Sequence, residues 1–260
     1  MKKVQLYVNS TKQEAIELAK KVEQELLNEK YKIVEDNADI VIGFGGDGTL
    51  LHFLKHNKYN VDASYIGVNC GTLGFLQDFN VQDVKEFVTK IPLYIPHTLN
   101  LIALEIEVGG NIKAFKALNE FIVQDACDKS FRTSIDIGNE FLEDFVGSGM
   151  IFSTPTGSTA LNLSAGGAIL HPYIKAIQIT PREAISNSKM HCLSKSICIP
   201  NGIDIVLKPN NNSDIKIYSD GENVYSGPYD KIRITYSKRC VLKLKDKKDS
   251  FIKTIKEKLI

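Results

Sequence analysis

The chain has 260 residues, of which 43% are hydrophobic and 24% are charged, and its formal net charge is +1. This composition is typical of a folded globular protein, and the small net charge argues against a general nucleic-acid binder, which needs a strongly basic face. No apolar stretch approaches the roughly 20 residues that a membrane-spanning helix requires, so we expect neither nucleic acid nor membrane as a partner.

The first hundred residues alternate strand and helix signals. Short apolar runs at 4–8, 39–44 and 65–68 are typical of parallel strands. Apolar residues at helical spacing follow two overlapping capping boxes that start at Ser10, and a second helical pattern follows Asn80. This alternation predicts an α/β domain with a parallel sheet over residues 1–97.

Strand signals dominate after Pro96. Residues 99–108 alternate polar and apolar side chains, a glycine turn follows, and further short strands are indicated at 133–137, 151–153, 203–207, 215–219 and 231–236. This spacing predicts a β-sandwich over residues 98–245. Apolar residues at helical spacing predict a closing helix within residues 246–260.

The cysteines indicate a reducing compartment. There are five, and they form no Cys-x-x-Cys pair: Cys70, Cys127, Cys192, Cys198 and Cys240. An odd number of scattered cysteines predicts reduced, mostly buried thiols. The chain opens with two lysines directly before a strand-like run, so we expect no signal peptide and a cytoplasmic protein.

Residues 45–49 read Gly-Gly-Asp-Gly-Thr and stand between an apolar run and Leu50-Leu51. That context predicts a buried strand, a glycine turn and a helix whose first N–H groups favour an anion. Asp47 weakens simple anion binding, so it needs a bridging cation or a hydroxyl group to activate. Phosphoryl transfer supplies both.

Two other phosphate-binding loops fit less well. Gly43, Gly45 and Gly48 satisfy Gly-x-Gly-x-x-Gly, but a Rossmann site places the pyrophosphate where Asp47 stands and needs an acidic residue about 20 positions further on. The corresponding strand ends at Asn69, which is not acidic. A Walker loop, Gly-x-x-x-x-Gly-Lys-Ser/Thr, does not occur in the sequence.

Two more polar clusters interrupt the β-rich half. Small hydroxyl residues surround a glycine in 153–160, which indicates either a helix start that binds polar ligand groups or a plain N-cap before a packed helix. Asn119 and Glu120 lie in an otherwise apolar segment. Together they can hold two ribose hydroxyls, although taken alone an edge strand with one wet face is the simpler interpretation.

Together these features resemble the NAD kinase family. The matching segments, in chain order, are the signature loop at 45–49, Gly67–Leu76, the Asn119-Glu120 pair, Thr154–Ala160 with Gly166-Gly167, and the late aspartate Asp220. The resemblance spans about residues 40 to 221. The loop alone is less specific, because diacylglycerol kinases and phosphofructokinases carry similar ones.

The resemblance implies an α/β domain followed by a β-sandwich, and a homo-oligomer, either a dimer or a tetramer. It implies transfer of a phosphoryl group from ATP or polyphosphate to the 2′-hydroxyl of the adenosine ribose of NAD, with Mg²⁺ or another divalent cation. Asp47 would accept the hydroxyl proton, and Asn119 with Glu120 would orient a ribose of NAD. The other substrate-binding residues implied are Gly46, Gly48, Thr49, Phe75, Ser148, Thr156, Gly157, Ser158, Thr159, Ala160, Leu161, Asn162, Ser164 and Asp220. No side chain is assigned as a metal ligand.

The chain departs from the family pattern at two places. Val146-Gly147-Ser148-Gly149 stands where Arg-x-Asp-Gly is usual, and Ala160-Leu161 stands where Ala-Tyr is usual. Each lost contact would weaken ligand binding by roughly 1 kcal/mol or more. These departures leave open an NAD(P)-binding regulator with weakened catalysis. The shared loop leaves open a second alternative, a lipid or other small-molecule kinase.

A functional role is less well supported for three histidines than for the motifs above. His52 and His56 have metal-ligand spacing on a predicted helix, but no third ligand accompanies them. His171 stands before Pro172, where a structural role at a helix end is the expected one.

Overall fold

The computed structural model describes residues 1–71, 74–77, 79–127, 129–186, 191–211, 213–245 and 251–260. The chain forms two compact units, one of Met1–Leu99 with Cys240–Ile260 and the other of Asn100–Arg239. The functional division into 1–97, 98–245 and 246–260 stays a prediction. Some residues named in the sequence predictions lie outside the described residues: Thr72 and Leu73 of the matched 67–76 segment, Asn212 of a turn, and residues 246–250 before the closing helix.

The first unit is built on a parallel sheet. Its strands are β1 (Lys3–Val8), β2 (Lys32–Ile33), β3 (Ile40–Gly45) and β4 (Ser64–Asn69), in the order β2-β1-β3-β4. Helices α1 (Gln13–Asn28), α2 (Asp47–His56) and α3 (Val84–Lys90) connect or follow these strands. The four pairings that involve these strands and the last strand of the chain are parallel.

Strand β3 explains the position of the glycine loop. All six of its residues are buried, as expected for a strand with neighbours on both sides and cover on both faces. Helix α1 contributes Ala15, Ala19, Val22 and Leu26 to the same apolar core. Strand β3 ends at Gly45 and α2 begins at Asp47, so Asp47 lies in the first turn of a helix, directly after the carboxyl end of a buried strand.

The second unit consists mostly of antiparallel strands. The strands from here to the end of the chain are β5 (Ile95–Val108), β6 (Asn111–Ala117), β7 (Glu120–Asp125), β8 (Phe131–Ile137), β9 (Glu140–Gly147), β10 (Gly149–Ser153), β11 (Ala176–Arg182), β12 (Ile197–Pro200), β13 (Ile205–Pro209), β14 (Ile215–Ser219), β15 (Glu222–Gly227) and β16 (Lys231–Lys245). One sheet has the order β12-β11-β10-β7-β14-β15. In the other layer β16 pairs with β13, β13 with β8, and β8 with β9.

Both layers of the second unit bury side chains in one core. Phe121 and Phe152 come from the first sheet, and Ile205 and Ile232 come from the other layer. This arrangement confirms the predicted class, an α/β region followed by a β-sandwich region. A single helical turn, α4 (Leu161–Ser164), interrupts the strands, and α5 (Phe251–Leu259) closes the chain as expected. No helix among the described residues is long and apolar enough to cross a membrane.

The two predicted helix starts were wrong. Helix α1 begins at Gln13, and its N-cap residue, Lys12, makes no side-chain cap, so the capping boxes at Ser10 are not used. Helix α3 begins after Asp83, whose carboxylate accepts the N–H of Glu86 at 2.9 Å. The side-chain oxygen of Asn80 instead accepts a hydrogen bond from the side-chain amide of Asn69 at 3.0 Å, so it is not the cap of α3.

The prediction of mostly buried thiols was also wrong. Only Cys70 and Cys192 are buried, whereas Cys127 and Cys198 are exposed. All five cysteines are free thiols. Burial raises the pKa of the Cys70 thiol above its ordinary value, which keeps it protonated and less reactive at neutral pH.

The cap of α3 can be tested directly. Asp83→Ala removes the acceptor for the Glu86 N–H, so we expect the free energy of unfolding to fall by about 1 kcal/mol. Asp83→Ser keeps a capping oxygen and serves as the control. Denaturant unfolding checks both variants, and an equal loss in the two would contradict the capping role.

Candidate active site

Asp47 is bound to a second loop by its own carboxylate. The backbone N–H of Phe75 donates to Oδ2 at 2.7 Å, and that of Leu76 donates to Oδ1 at 3.0 Å. Each carboxylate oxygen can accept more than one hydrogen bond, so the half-buried carboxylate keeps lone pairs for a further donor. The sequence motif predicted Asp47, but nothing in it predicted these two bonds, which hold the carboxylate in one orientation.

Gly74 makes this close approach possible. A Cβ atom at Gly74 would lie 1.8 Å from Oδ1 of Asp47, a distance that no side chain can tolerate. Gly43 and Gly45 are packed in the same way, against Phe53 and Thr49. Packing therefore requires glycine at these three positions.

Gly46 and Gly48 differ from the packed glycines. Apart from the chain neighbours and the helix's own backbone, no described atom lies within 4 Å of a Cβ built at either residue, and neither residue has a positive φ. Neither packing nor backbone strain therefore requires glycine at these positions. Side chains there would instead occupy the space beside Asp47 at the start of α2, where N–H groups favour an anion.

A cavity of about 250 Å³ lies next to Gly48, at the carboxyl end of β1. It is lined by Tyr7, Val8, Asn9, Ser10, Gly48, Thr49 and His52. The side chain of Asn9 contacts Thr49 at 3.4 Å, and Thr49 Oγ1 accepts the Gly46 N–H at 3.3 Å. The sequence indicated Gly48 and Thr49, but Asn9 belongs to no motif and was missed.

The histidine pair of α2 packs around an aromatic ring. The rings of His52 and His56 lie 5.8 Å and 6.2 Å from the ring of Tyr7. Among the described residues, no group of three or more His, Cys, Asp or Glu side chains is arranged to hold a metal ion.

Phe75 is half-buried, and the ammonium group of Lys258 lies 4.5 Å from the centre of its ring.

In the second unit, Asp220 holds the Asn119-Glu120 pair. Its carboxylate accepts the N–H groups of Leu118, Asn119 and Glu120 at 2.9, 2.7 and 3.1 Å. Asp220 has a φ of +46°, so a left-handed turn aims the carboxylate at this backbone. Asp220 therefore acts on the pair through the backbone, a relation that the separation of 100 residues hid from sequence reasoning.

The edge-strand interpretation of the Asn119-Glu120 segment was wrong. Strand β7, which begins at Glu120, pairs with β10 on one side and β14 on the other. Asn119 is 7% exposed and Glu120 is 5% exposed. These two polar side chains are therefore buried, at the start of a strand that has a neighbour on each side, and do not form a wet strand face.

The second glycine-rich motif packs directly on this pair. Thr154 donates its hydroxyl to the Leu118 carbonyl at 2.6 Å and its N–H to the Asn119 carbonyl at 2.8 Å. A Cβ at Gly157 would lie 2.1 Å from the Asn119 carbonyl oxygen, so only glycine fits. The structure thus brings Asn119, Glu120, Thr154, Gly157 and Asp220 together.

Other predicted residues of this motif differ in exposure. Ser158 is fully buried, and its hydroxyl bonds to Pro155 and Leu170. Asn162 is also fully buried and accepts the Thr180 hydroxyl at 2.7 Å. The residues with accessible surface are Thr156, Thr159, Ala160, Leu161 and Ser164. The helix predicted after this motif is a 3₁₀ turn at Gly157–Thr159 followed by the four-residue α4.

Ser148 is hydrogen-bonded to residues at the end of β11. Its hydroxyl bonds to the Glu183 carboxylate, and its N–H donates to the Arg182 carbonyl at 2.9 Å. The carboxylate that the family usually has at position 148 is absent here. Glu183 supplies a negative charge next to this position from a different strand end, which the sequence pattern did not reveal.

Comparison with known proteins adds independent findings. A model described as the ATP-NAD kinase N-terminal domain matches residues 2–92, and one described as the ATP-NAD kinase C-terminal domain matches residues 118–244. The NAD kinase of Lactobacillus gasseri is 34% identical over 223 residues, which cover 84% of this chain and 83% of that protein. NAD kinase 1 of Bacillus subtilis is 32% identical over 208 residues, 78% of each chain.

Two solved structures share the fold. Yeast NADH kinase complexed with NADH has a TM-score of 0.85 at 18% identity and covers 99% of this chain and 87% of its own. An NAD kinase from Archaeoglobus fulgidus in complex with ATP has a TM-score of 0.76 at 19% identity and covers 98% and 99%. At these identities the likeness shows the fold.

The packing difference between the glycines gives a matched test. Gly74→Ala forces a methyl group against the Asp47 carboxylate, so we expect the free energy of unfolding to fall by about 1–3 kcal/mol. Gly48→Ala adds a methyl group in open space within α2 and should keep or raise stability by up to about 1 kcal/mol. Denaturant unfolding measures both, and equal stabilities would contradict the close approach at Gly74.

Proposed function

The chain belongs to the NAD kinase family, whose members form NADP, and we propose that it transfers a phosphoryl group from ATP or polyphosphate to the 2′-hydroxyl of the adenosine ribose of NAD. The observation that carries the proposal for its own residues is the Asp47 carboxylate. It is fixed by two backbone N–H groups at the amino end of a helix, directly after a buried strand.

Asp47 is the proposed proton acceptor. A ribose hydroxyl is almost un-ionised at neutral pH, so a carboxylate within hydrogen-bond reach helps by accepting its proton as the oxygen attacks phosphorus. The new bond joins the 2′-oxygen to the transferred phosphoryl group, and the bond from that group to the rest of the donor breaks. The two N–H donors keep the carboxylate aimed while its remaining lone pairs serve the hydroxyl.

Asn119 and Glu120 are the proposed ribose-binding pair. An amide that donates and accepts, next to a carboxylate that accepts, matches two adjacent sugar hydroxyls. Their burial and the Asp220 carboxylate behind them support a fixed geometry. We assign the accessible residues Thr156, Thr159, Ala160, Leu161 and Ser164 to dinucleotide contacts, and the buried Ser158 and Asn162 to the support of that surface.

The phosphoryl donor is assigned to the α2 end of the first unit. The open backbone at Gly46 and Gly48, together with the cavity beside Thr49, supports binding of a phosphate chain. Mg²⁺ keeps several waters and binds substrate phosphates, so it needs no dedicated cage of protein ligands here, and it would screen the repulsion between Asp47 and the donor phosphates. When bound, Mg²⁺ would neutralise charge on the donor phosphates.

The remaining assignments are also proposals. We propose a cytoplasmic homo-oligomer, dimeric or tetrameric, with NAD and ATP or polyphosphate as its substrates. The solved relatives that hold NADH and ATP support these ligand classes. A lipid kinase would predict phosphorylation of diacylglycerol or a sphingoid base. A regulator would bind NAD or NADP tightly without turnover, and the intact Asp47, Asn119 and Glu120 favour the kinase over it.

The role of Asp47 is tested by Asp47→Asn. The amide has one acceptor oxygen in place of two, so one of the Phe75 and Leu76 N–H groups loses its partner and stability should fall by about 1–3 kcal/mol. NADP formation from NAD, ATP and Mg²⁺ should fall by about 10²-fold or more. Thermal unfolding and circular dichroism establish that the variant is folded. A folded variant with full activity would remove Asp47 from this role.

The departure at Leu161 gives a gain-of-function test. Leu161 is 44% exposed, so a larger side chain has room there. Leu161→Tyr restores an aromatic face for a base, and stacking is worth about 0.5–1.5 kcal/mol, so we expect the KM for NAD to fall by roughly 2- to 12-fold. Leu161→Ala is the control and should leave KM unchanged or higher. Equal KM values for the tyrosine variant and the parent protein would show that no base stacks at this position.

A further inference from the structure

Gln77 is buried beside the glycine loop, although it belongs to none of the matched motifs. Its side chain is 3% exposed, and its amide nitrogen donates to the Gly46 carbonyl oxygen at 2.7 Å. The same carbonyl accepts the N–H groups of Thr49 and Leu50 at 2.9 and 3.2 Å, which form the first turn of α2. Gln77 therefore holds the residue directly before Asp47.

Stability does not account for a glutamine at this position. The other half of its amide, Oε1, has no hydrogen-bond partner among the described residues, and it lies 2.2 Å from where a Cβ of Gly67 would be. A buried acceptor without a partner costs more than a made hydrogen bond contributes. A methionine of similar length would avoid that cost. Local departures from good packing of this kind are expected at functional sites.

The residues next to Gln77 are the ones that hold the Asp47 carboxylate. Residues 74–77 form a short segment in which Phe75 and Leu76 donate their N–H groups to Asp47. The carbonyl of Leu76 accepts the ammonium group of Lys243, which is 1% exposed. The 74–77 segment is thus attached to α2 at both the Asp47 side chain and the Gly46 backbone, and to β16 through Lys243.

We propose that Gln77 is a positioning residue for phosphoryl transfer. By holding the Gly46 carbonyl against the 74–77 segment, it fixes the backbone from which the Asp47 side chain projects and keeps both N–H donors aimed at that carboxylate. The proposal rests on the catalytic role proposed for Asp47. A misplacement of about 1 Å in a reacting group can lower a rate by up to about 100-fold, so one anchoring bond matters to turnover.

The test compares Gln77→Met with Gln5→Met in the full-length protein. Gln5 also donates its side-chain amide to a backbone carbonyl, that of Glu35, within the same unit and away from the loop. In Gln77→Met we expect kcat for NADP formation to fall by about tenfold or more, the KM for NAD to change by less than about threefold, and the unfolding midpoint to stay level or rise. In Gln5→Met, kcat should be unchanged.

Amide hydrogen exchange provides a readout that does not depend on activity. In ligand-free Gln77→Met, the amides of Phe75 and Leu76 should exchange at least about tenfold faster, while those of β3 stay protected. Unchanged exchange at both amides, or a kcat within twofold of the parent, would overturn the proposal. A lower unfolding midpoint with an equal kcat loss in Gln5→Met would also overturn it. If Asp47→Asn were fully active, the exchange result would still decide whether Gln77 orders this segment.

Discussion

The pair of hydrogen bonds from Phe75 and Leu76 to the Asp47 carboxylate is the constraint on which the first unit's chemistry depends. A negative charge inside a glycine-rich phosphate loop is unfavourable on its own, because it repels the group that the loop should bind. Two backbone donors stabilise that charge and fix its direction without adding bulk. The absence of a side chain at Gly74 follows from the same contact.

The second unit uses the same device in a different place. Asp220 accepts three backbone N–H groups and thereby orders the Asn119-Glu120 pair. In both units a carboxylate that arrives from a distant part of the chain organises a short backbone segment that would otherwise lack partners. The two carboxylates differ in what remains for them to do: Asp47 belongs to a loop with open glycines, whereas Asp220 acts through the residues it holds.

Much of the fold and of the candidate site could be predicted from the sequence, because both depend on local patterns. The buried strand before Gly45, the β-rich half and the closing helix follow from periodicity, and the motif residues follow from the family resemblance. The starts of α1 and α3 were missed because Ser10 and Asn80 are residue types that favour helix N-caps, but neither caps a helix in the fold. The central position of β7 was missed because strand order is not encoded within a strand. Gln77 and Asn9 were missed because each acts through a partner more than 30 residues away.

The central claim is that the oriented Asp47 carboxylate receives the proton of the 2′-hydroxyl of NAD. A crystal structure with NAD and a non-transferable ATP analogue measures this most directly. We predict one Asp47 oxygen within about 3.2 Å of that hydroxyl, with the Phe75 and Leu76 N–H groups still bonded to the carboxylate. A 2′-hydroxyl that lies beyond hydrogen-bond reach of Asp47 and bonds to another side chain would contradict it.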